Sequence, residues 1–238
     1  MRKLGYKNIL IDFDDTIVDF YDAEEWAFHY MANVFNHKAT KDDFLTFKKI
    51  NHQHWEAFQQ NKLSKSEVLS ERFVNYFKHH QMEVDGHQME VDGHRADVLF
   101  RNGLAEAKVK YFDQTLETIV ELSKRHDLYI VTNGVTETQK RRLNQTPLHK
   151  YIKKIFISEE TGYQKPNPEF FNYVFNDIGE DERQRSIIVG DSLTSDILGG
   201  INAGIATCWF NFRGFDHNPG IIPDYEINSW KQLNDIVR

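Results

Sequence analysis

Hydrophobic positions follow two different patterns along the chain. The first is a series of short unbroken apolar runs, Ile9-Leu10-Ile11, Leu128-Tyr129-Ile130-Val131, Ile155-Phe156-Ile157 and Ile187-Ile188-Val189, followed by a mixed stretch from Ala206 to Asn211 that is also expected as a strand. Runs this short without polar alternation predict strands buried on both faces, as in a parallel sheet. Tyr225-Glu226-Ile227 predicts a last edge strand. Helical segments are expected between them: one capped by Asp113 with Leu116, Ile119 and Val120 on its apolar face, then 136–144, 168–178 opening on a proline, 193–203, and one near 230–237. Strands alternating with helices predict βαβ units with right-handed crossovers.

The second pattern occupies about residues 22–110 and is aromatic-rich, helical and free of strand signals. Thr40-Lys41-Asp42-Asp43 and Ser64-Lys65-Ser66-Glu67 read as capping boxes. After the second box Leu69, Phe73, Tyr76 and Phe77 share a face, whereas Phe44, Phe47, Trp55 and Phe58 fit one face less well. Residues 17–21 form a turn or flap leading into this block. The expected fold is α/β: a Rossmann-like doubly wound parallel sheet formed by 1–18 and 111–238, interrupted by an α-helical cap domain of roughly four helices at 19–110. A heptad, His80-Gln81-Met82-Glu83-Val84-Asp85-Gly86, recurs at 87–93. It reads as a tandem duplication in a surface loop and is assigned no function.

Composition narrows the function classes. A net charge of −7 over 238 residues disfavours polymeric nucleic acid or an anionic membrane as partner. The single cysteine, Cys208, has no internal disulfide partner, consistent with a reducing compartment. The N-terminus lacks a signal-peptide core, and no apolar stretch reaches spanning length. A cytoplasmic location is expected, with no protein partner.

The chemistry sits where strands end. The first strand runs straight into Asp12, Asp14 and Asp15. Carboxylates cannot follow it into the core unpaired, so the stretch is either an acidic turn or a site for a cation or acid–base chemistry. Other strands end in Thr132-Asn133-Gly134 and Gly190-Asp191, and Lys165 lies in the loop after Ile157. In a parallel sheet these ends share one rim, where open α/β folds bind ligands. Asp12, Asp14 and Asp191 then bring hard oxygen ligands together, a set suited to Mg2+, with Asp196 in a supporting role. Thr132 and its neighbour Asn133 are placed for phosphate oxygens, and Lys165 for charge on a transferred group.

These residues carry a resemblance. Asp12-Phe13-Asp14-Asp15-Thr16, Thr132, Lys165-Pro166-Asn167-Pro168, and Gly190-Asp191-Ser192 through Asp196 are similar to the four motifs of the haloacid dehalogenase-like (HAD) hydrolase superfamily. The helical insert resembles its C1-type cap. The resemblance implies that Asp12 is the nucleophile and forms an aspartyl-phosphate, and that Asp14 is the acid and then the base. It also implies Mg2+ held by the Asp12 side chain, the Asp14 backbone carbonyl and Asp191. An acid at position 14 favours phosphate ester chemistry over dehalogenation. The segments 132–139 and 162–166 look like the bacterial YjjG/YfnB-type 5′-nucleotidase branch. A small phosphorylated metabolite is expected as partner, in the first instance a nucleoside 5′-monophosphate. A sugar-phosphate or phosphoglycolate-type phosphatase and a phosphomutase are the alternatives.

Overall fold

The structure, a computed structural model, describes residues 5–80 and 86–238, with backbone only for 86–91. The chain divides into two compact units, Met1–Phe20 with Val109–Arg238, and Tyr21–Lys108.

Strand β1 (Asn8–Ile11) is buried along its whole length. The chain then enters the helical unit: α1 (Tyr21–Val34), α2 (Lys41–Gln59), α3 (Lys65–His79) and α4 (Gly86–Glu106). Both predicted capping boxes are present. Thr40 Oγ1 accepts from the Asp43 amide while the Asp43 carboxylate accepts from the Thr40 amide, and Ser64 and Glu67 do the same. Phe28, Phe44, Phe47, Phe73, Tyr76 and Phe100 form an aromatic core, with Phe47 stacked on Phe28 at 5.1 Å and on Phe73 at 5.0 Å.

The irregular pattern of α2 has a cause. Its buried positions are Phe44, Phe47, Asn51, His54 and Phe58, so two polar residues occupy the inward stripe and Trp55 lies off it. Asn51 belongs to a buried network: it donates to Glu24, accepts from Arg72, and Arg72 pairs with Asp97 at 2.5 Å. The face of α3 likewise includes Val68 and Arg72, with Leu69 at its margin. Residues 81–85 of the duplicated heptads lie outside the described residues. From Gly86 onward the second copy is helical backbone of α4, not loop. Seven residues are close to two helical turns, so a heptad can lengthen a helix with little rotation of its face.

The remaining chain builds the sheet: α5 (Thr115–Leu122), β2 (Asp127–Thr132), α6 (Thr136–Asn144), β3 (Ile152–Ile157), α7 (Ser158–Thr161), α8 (Pro168–Ile178), β4 (Ser186–Gly190), a π-helical turn at Leu193–Ile197 running into α9 (Leu198–Ala203), β5 (Ala206–Phe210), β6 (Tyr225–Ile227) and α10 (Leu233–Ile236). Asp113 is not the cap of α5. The cap position is Gln114, in the left-handed region at φ 60°, and the exposed Asp113 lies one residue too early to reach the orphan amides. Strand β3 starts three residues before the apolar run because Lys153 and Lys154 face solvent at a sheet edge.

All six strands are parallel, in the order β3-β2-β1-β4-β5-β6. Period-two alternation sends Ile9, Ile11, Leu128, Ile130, Ile187 and Val189 into one core with Ile119, Leu122, Trp230 and Leu233. Leu10, Tyr129, Val131 and Ile188 enter the other with Phe170, Phe171, Val174 and Phe175 of α8. The doubly wound α/β fold follows from both faces being covered. Among the described residues no helix is long and apolar enough to cross a membrane.

Candidate active site

Register places the strand ends side by side. Ile11 pairs with Ile130 on one flank and Val189 on the other, so Asp12, Thr132 and Asp191 follow at one rim. The Asp12 amide donates to Val189 O at 2.9 Å, which continues the ladder one residue past the strand and fixes the carboxylate at its mouth.

Lys165 sits at the centre, 1% exposed. Its Nζ donates to Asp12 Oδ1 at 2.6 Å, Asp196 Oδ1 at 2.6 Å and Val131 O at 2.7 Å. Burial alone would lower its pKa. The Asp12 and Asp196 carboxylates outweigh that, and the ammonium is held charged beyond the usual lysine range. Burial pushes the Asp12 carboxyl up; Lys165 opposes the shift, while Asp196 and Asp14 add to it. Asp191 is raised well above the ordinary value by desolvation first, then by Asp15, Asp12 and Asp196.

Asp12, Asp191 and Asp196 each place a carboxylate oxygen within 4.8 Å of the others. Three carboxylates face one ammonium, an excess of negative charge in hard oxygen donors. That set fits a divalent cation of the Mg2+ type. The third carboxylate of the cluster is Asp196, from the π-helical turn; the ligand expected from Asp14 is its backbone carbonyl. Asp196 is 1% exposed, bonds Lys165, and accepts from the Ser192 amide at 3.1 Å. A Cβ at Gly190 would lie 2.2 Å from the Asp196 carboxylate, so the motif glycine is needed for this approach.

Each remaining expected residue has a definite place. Thr132 is buried, and its Oγ1 accepts from the Gly134 amide and from Gln139 Nε2. Its own proton is what it can offer a phosphoryl oxygen. The Asn133 side chain is given to Lys165 rather than turned to the rim: Oδ1 accepts from the Lys165 amide at 2.9 Å and Nδ2 donates to Lys165 O at 2.9 Å. These two amide bonds hold the lysine loop. Asp15, at φ 56°, accepts from the Phe20 amide and from Arg213, which shapes the turn after the motif.

Three residues carry site contacts that the sequence did not reveal. Thr16, fully buried, accepts from the Asp191 amide and donates to Asp191 Oδ1, fixing one carboxylate of the cluster. Gln139 and Arg142 both bond the Asp14 carboxylate. They stand three apart on α6, and that spacing on a helix of strongly polar composition was the available signal.

Comparison with known proteins identifies the family. Residues 9–210 match the family model described as haloacid dehalogenase-like hydrolase. The YfnB protein of Bacillus subtilis is 40% identical over 232 residues, covering 98% of this chain and 95% of that protein. The pyrimidine 5′-nucleotidase PynA of Streptococcus pneumoniae is 32% identical, covering 98% and 95%. The pyrimidine 5′-nucleotidase YjjG of Escherichia coli is 29% identical, covering 92% and 96%. The crystal structure of Bacillus subtilis YfnB, determined with magnesium bound, superposes with a TM-score of 0.90 at 39% identity, covering 99% of this chain and 100% of that one. With its motifs on one rim and its relatives matched over nearly their full length, the chain belongs to the haloacid dehalogenase-like hydrolase family, as one of its phosphatases.

Proposed function

We propose that this protein is a Mg2+-dependent phosphomonoesterase acting through an aspartyl-phosphate on a pyrimidine nucleoside 5′-monophosphate. The observation that carries the reaction class is the fixed group of Asp12, Lys165 and Asp196 beside Asp14, an acid whose side chain remains 30% exposed. The substrate class rests on likeness to PynA and YjjG, which bear the pyrimidine 5′-nucleotidase name.

Asp12 attacks phosphorus and the ester oxygen departs as alcohol, with Asp14 supplying its proton. Water then attacks the aspartyl-phosphate with Asp14 taking the proton, which frees phosphate and restores Asp12. Lys165 orients Asp12 through Oδ1 and offsets charge on the transferred group, and Thr132 donates its hydroxyl to a phosphoryl oxygen. Asp12, Asp191 and Asp196 would hold the cation, which supplies Lewis-acid neutralisation of the phosphoryl group when bound.

The test is phosphate release across pyrimidine and purine 5′-monophosphates and sugar phosphates, with Mg2+ or with chelator. Turnover of pyrimidine nucleotides, lost with chelator and in Asp12→Asn, is the expected result. Preference for sugar phosphates would refute the substrate class. Isomerisation without phosphate release would make the protein a mutase, and full activity of Asp12→Asn would remove the nucleophile.

A further inference from the structure

Asp14 is not left to find its own position. Its Oδ2 accepts from Gln139 Nε2 at 2.8 Å, and its Oδ1 accepts from the guanidinium of Arg142. Arg142 also donates to Gln139 Oε1 at 3.0 Å, which fixes which end of the amide faces the acid. The same Gln139 Nε2 reaches Thr132 Oγ1 at 2.9 Å. One amide group therefore spaces the acid–base carboxylate from the hydroxyl expected to bind phosphate.

The two holders are themselves fixed. Gln139 is 1% exposed and Arg142 is 2% exposed. The Arg142 guanidinium lies over the rings of Phe13 and Phe20, 5.0 Å from each centroid, and its Nε is buried without a hydrogen-bond partner. A guanidinium serving packing alone would be expected to use its donors; here one is orphaned while another is aimed at Asp14. Gly134 has no side chain where one would strike Gln139: a Cβ there would lie 2.5 Å from Gln139 Cγ. The turn at the end of β2 thus leaves the lane through which the glutamine reaches Asp14.

We propose that Gln139 and Arg142 are positioning residues for Asp14, holding its carboxylate by both oxygens in one orientation and, through Gln139, at a set distance from Thr132. The proposal rests on the phosphomonoesterase reading above, in which Asp14 protonates the departing alcohol. Misplacing a catalytic group by about 1 Å costs on the order of a hundredfold.

The test compares two leaving groups. An alkyl phosphate, the preferred nucleotide of the screen, needs a proton on its departing oxygen. In 4-nitrophenyl phosphate the leaving group departs without one. Gln139→Leu and Arg142→Met should lower kcat/KM for the nucleotide by about 10- to 100-fold with its KM little changed, and Arg142→Met, which does not touch Thr132, should leave the first-turnover release of 4-nitrophenol within about threefold of wild type, because that step comes before Asp14 takes a proton from water. Asp14→Asn should show the same discrimination in the first turnover while slowing the steady state on both esters, and adding Arg142→Met to it should cost the nucleotide nothing further. Arg142→Lys should recover part of the loss. Equal first-turnover loss on both esters, or no loss on either, in an Arg142→Met protein whose circular dichroism matches wild type would overturn the proposal. If Arg142→Met does not fold, the near-isosteric Gln139→Glu decides by the same comparison. Wild type releasing phosphate from neither ester would instead overturn the proposed function itself, and this inference with it.

Discussion

Replacing Lys165 by methionine tests the charge arrangement at its centre. The ammonium is 1% exposed and bonds two carboxylates and one carbonyl, each at 2.7 Å or less. Methionine keeps much of the volume but leaves Asp12 and Asp196 facing each other without a cation. Breaking a buried ion pair by removing one partner costs about 3–5 kcal/mol. For a chain of this size that corresponds to a fall in melting temperature of roughly 6–20 °C. Calorimetry in chelator measures it. The loss should depend on pH. Asp12 is already raised by burial, and Lys165 is what restrains the shift. In the variant Asp12 rises further, so at acidic pH it takes up a proton and part of the cost disappears. Stability of the variant should therefore fall as pH rises from 5 to 8, more steeply than in wild type. Mg2+ should stabilise the variant more than wild type, because the cation meets a larger charge excess. Lys165→Met combined with Asp196→Asn should lose less than the sum of the two single losses. A Lys165→Met protein that melts with wild type in chelator at pH 8 would refute the reasoning, as would additivity in the double variant.

Other outcomes follow from the same geometry. Gly190→Ala inserts a methyl group 2.2 Å from the Asp196 carboxylate, so kcat should drop at least about tenfold, roughly 1.4 kcal/mol, with circular dichroism unchanged. Arg72→Met strips Asp97 and Asn51 of a buried partner in the helical unit. A destabilisation of about 3 kcal/mol is expected by denaturant titration, the low end because Arg101 still pairs with Asp97. Burial pushes the Cys208 thiol up to about 12, so it should resist thiol reagents at pH 8 in the native protein and react on unfolding.

The relation between sequence and structure is clearest at the rim. Short apolar runs announced four of the six strands by their composition, since a strand buried on both faces has few polar positions to spare. The edge strand β3 was read short because Lys153 and Lys154 face water. Both capping boxes were legible because they are local, closed within four residues. The Asp113 cap failed on a one-residue offset that only the left-handed backbone at Gln114 explains.

The sequence by itself determined the types of side chain at the strand ends, and hence the family and its chemistry. Asp12, Asp14, Thr132, Lys165 and Asp191 were all singled out by residue type and place, and the structure brings them to one rim. What only the tertiary structure decided is which groups bond which. It gave Asp196 to the carboxylate cluster, Asn133 to the lysine loop, Thr16 to Asp191, and Asp14 to Gln139 and Arg142. The physical reason is range. Periodicity and capping act over a few residues, whereas Asp14 meets its partners across 125 and 128 positions of chain. Those meetings depend on sheet register and on the side chains around them, which no local pattern encodes.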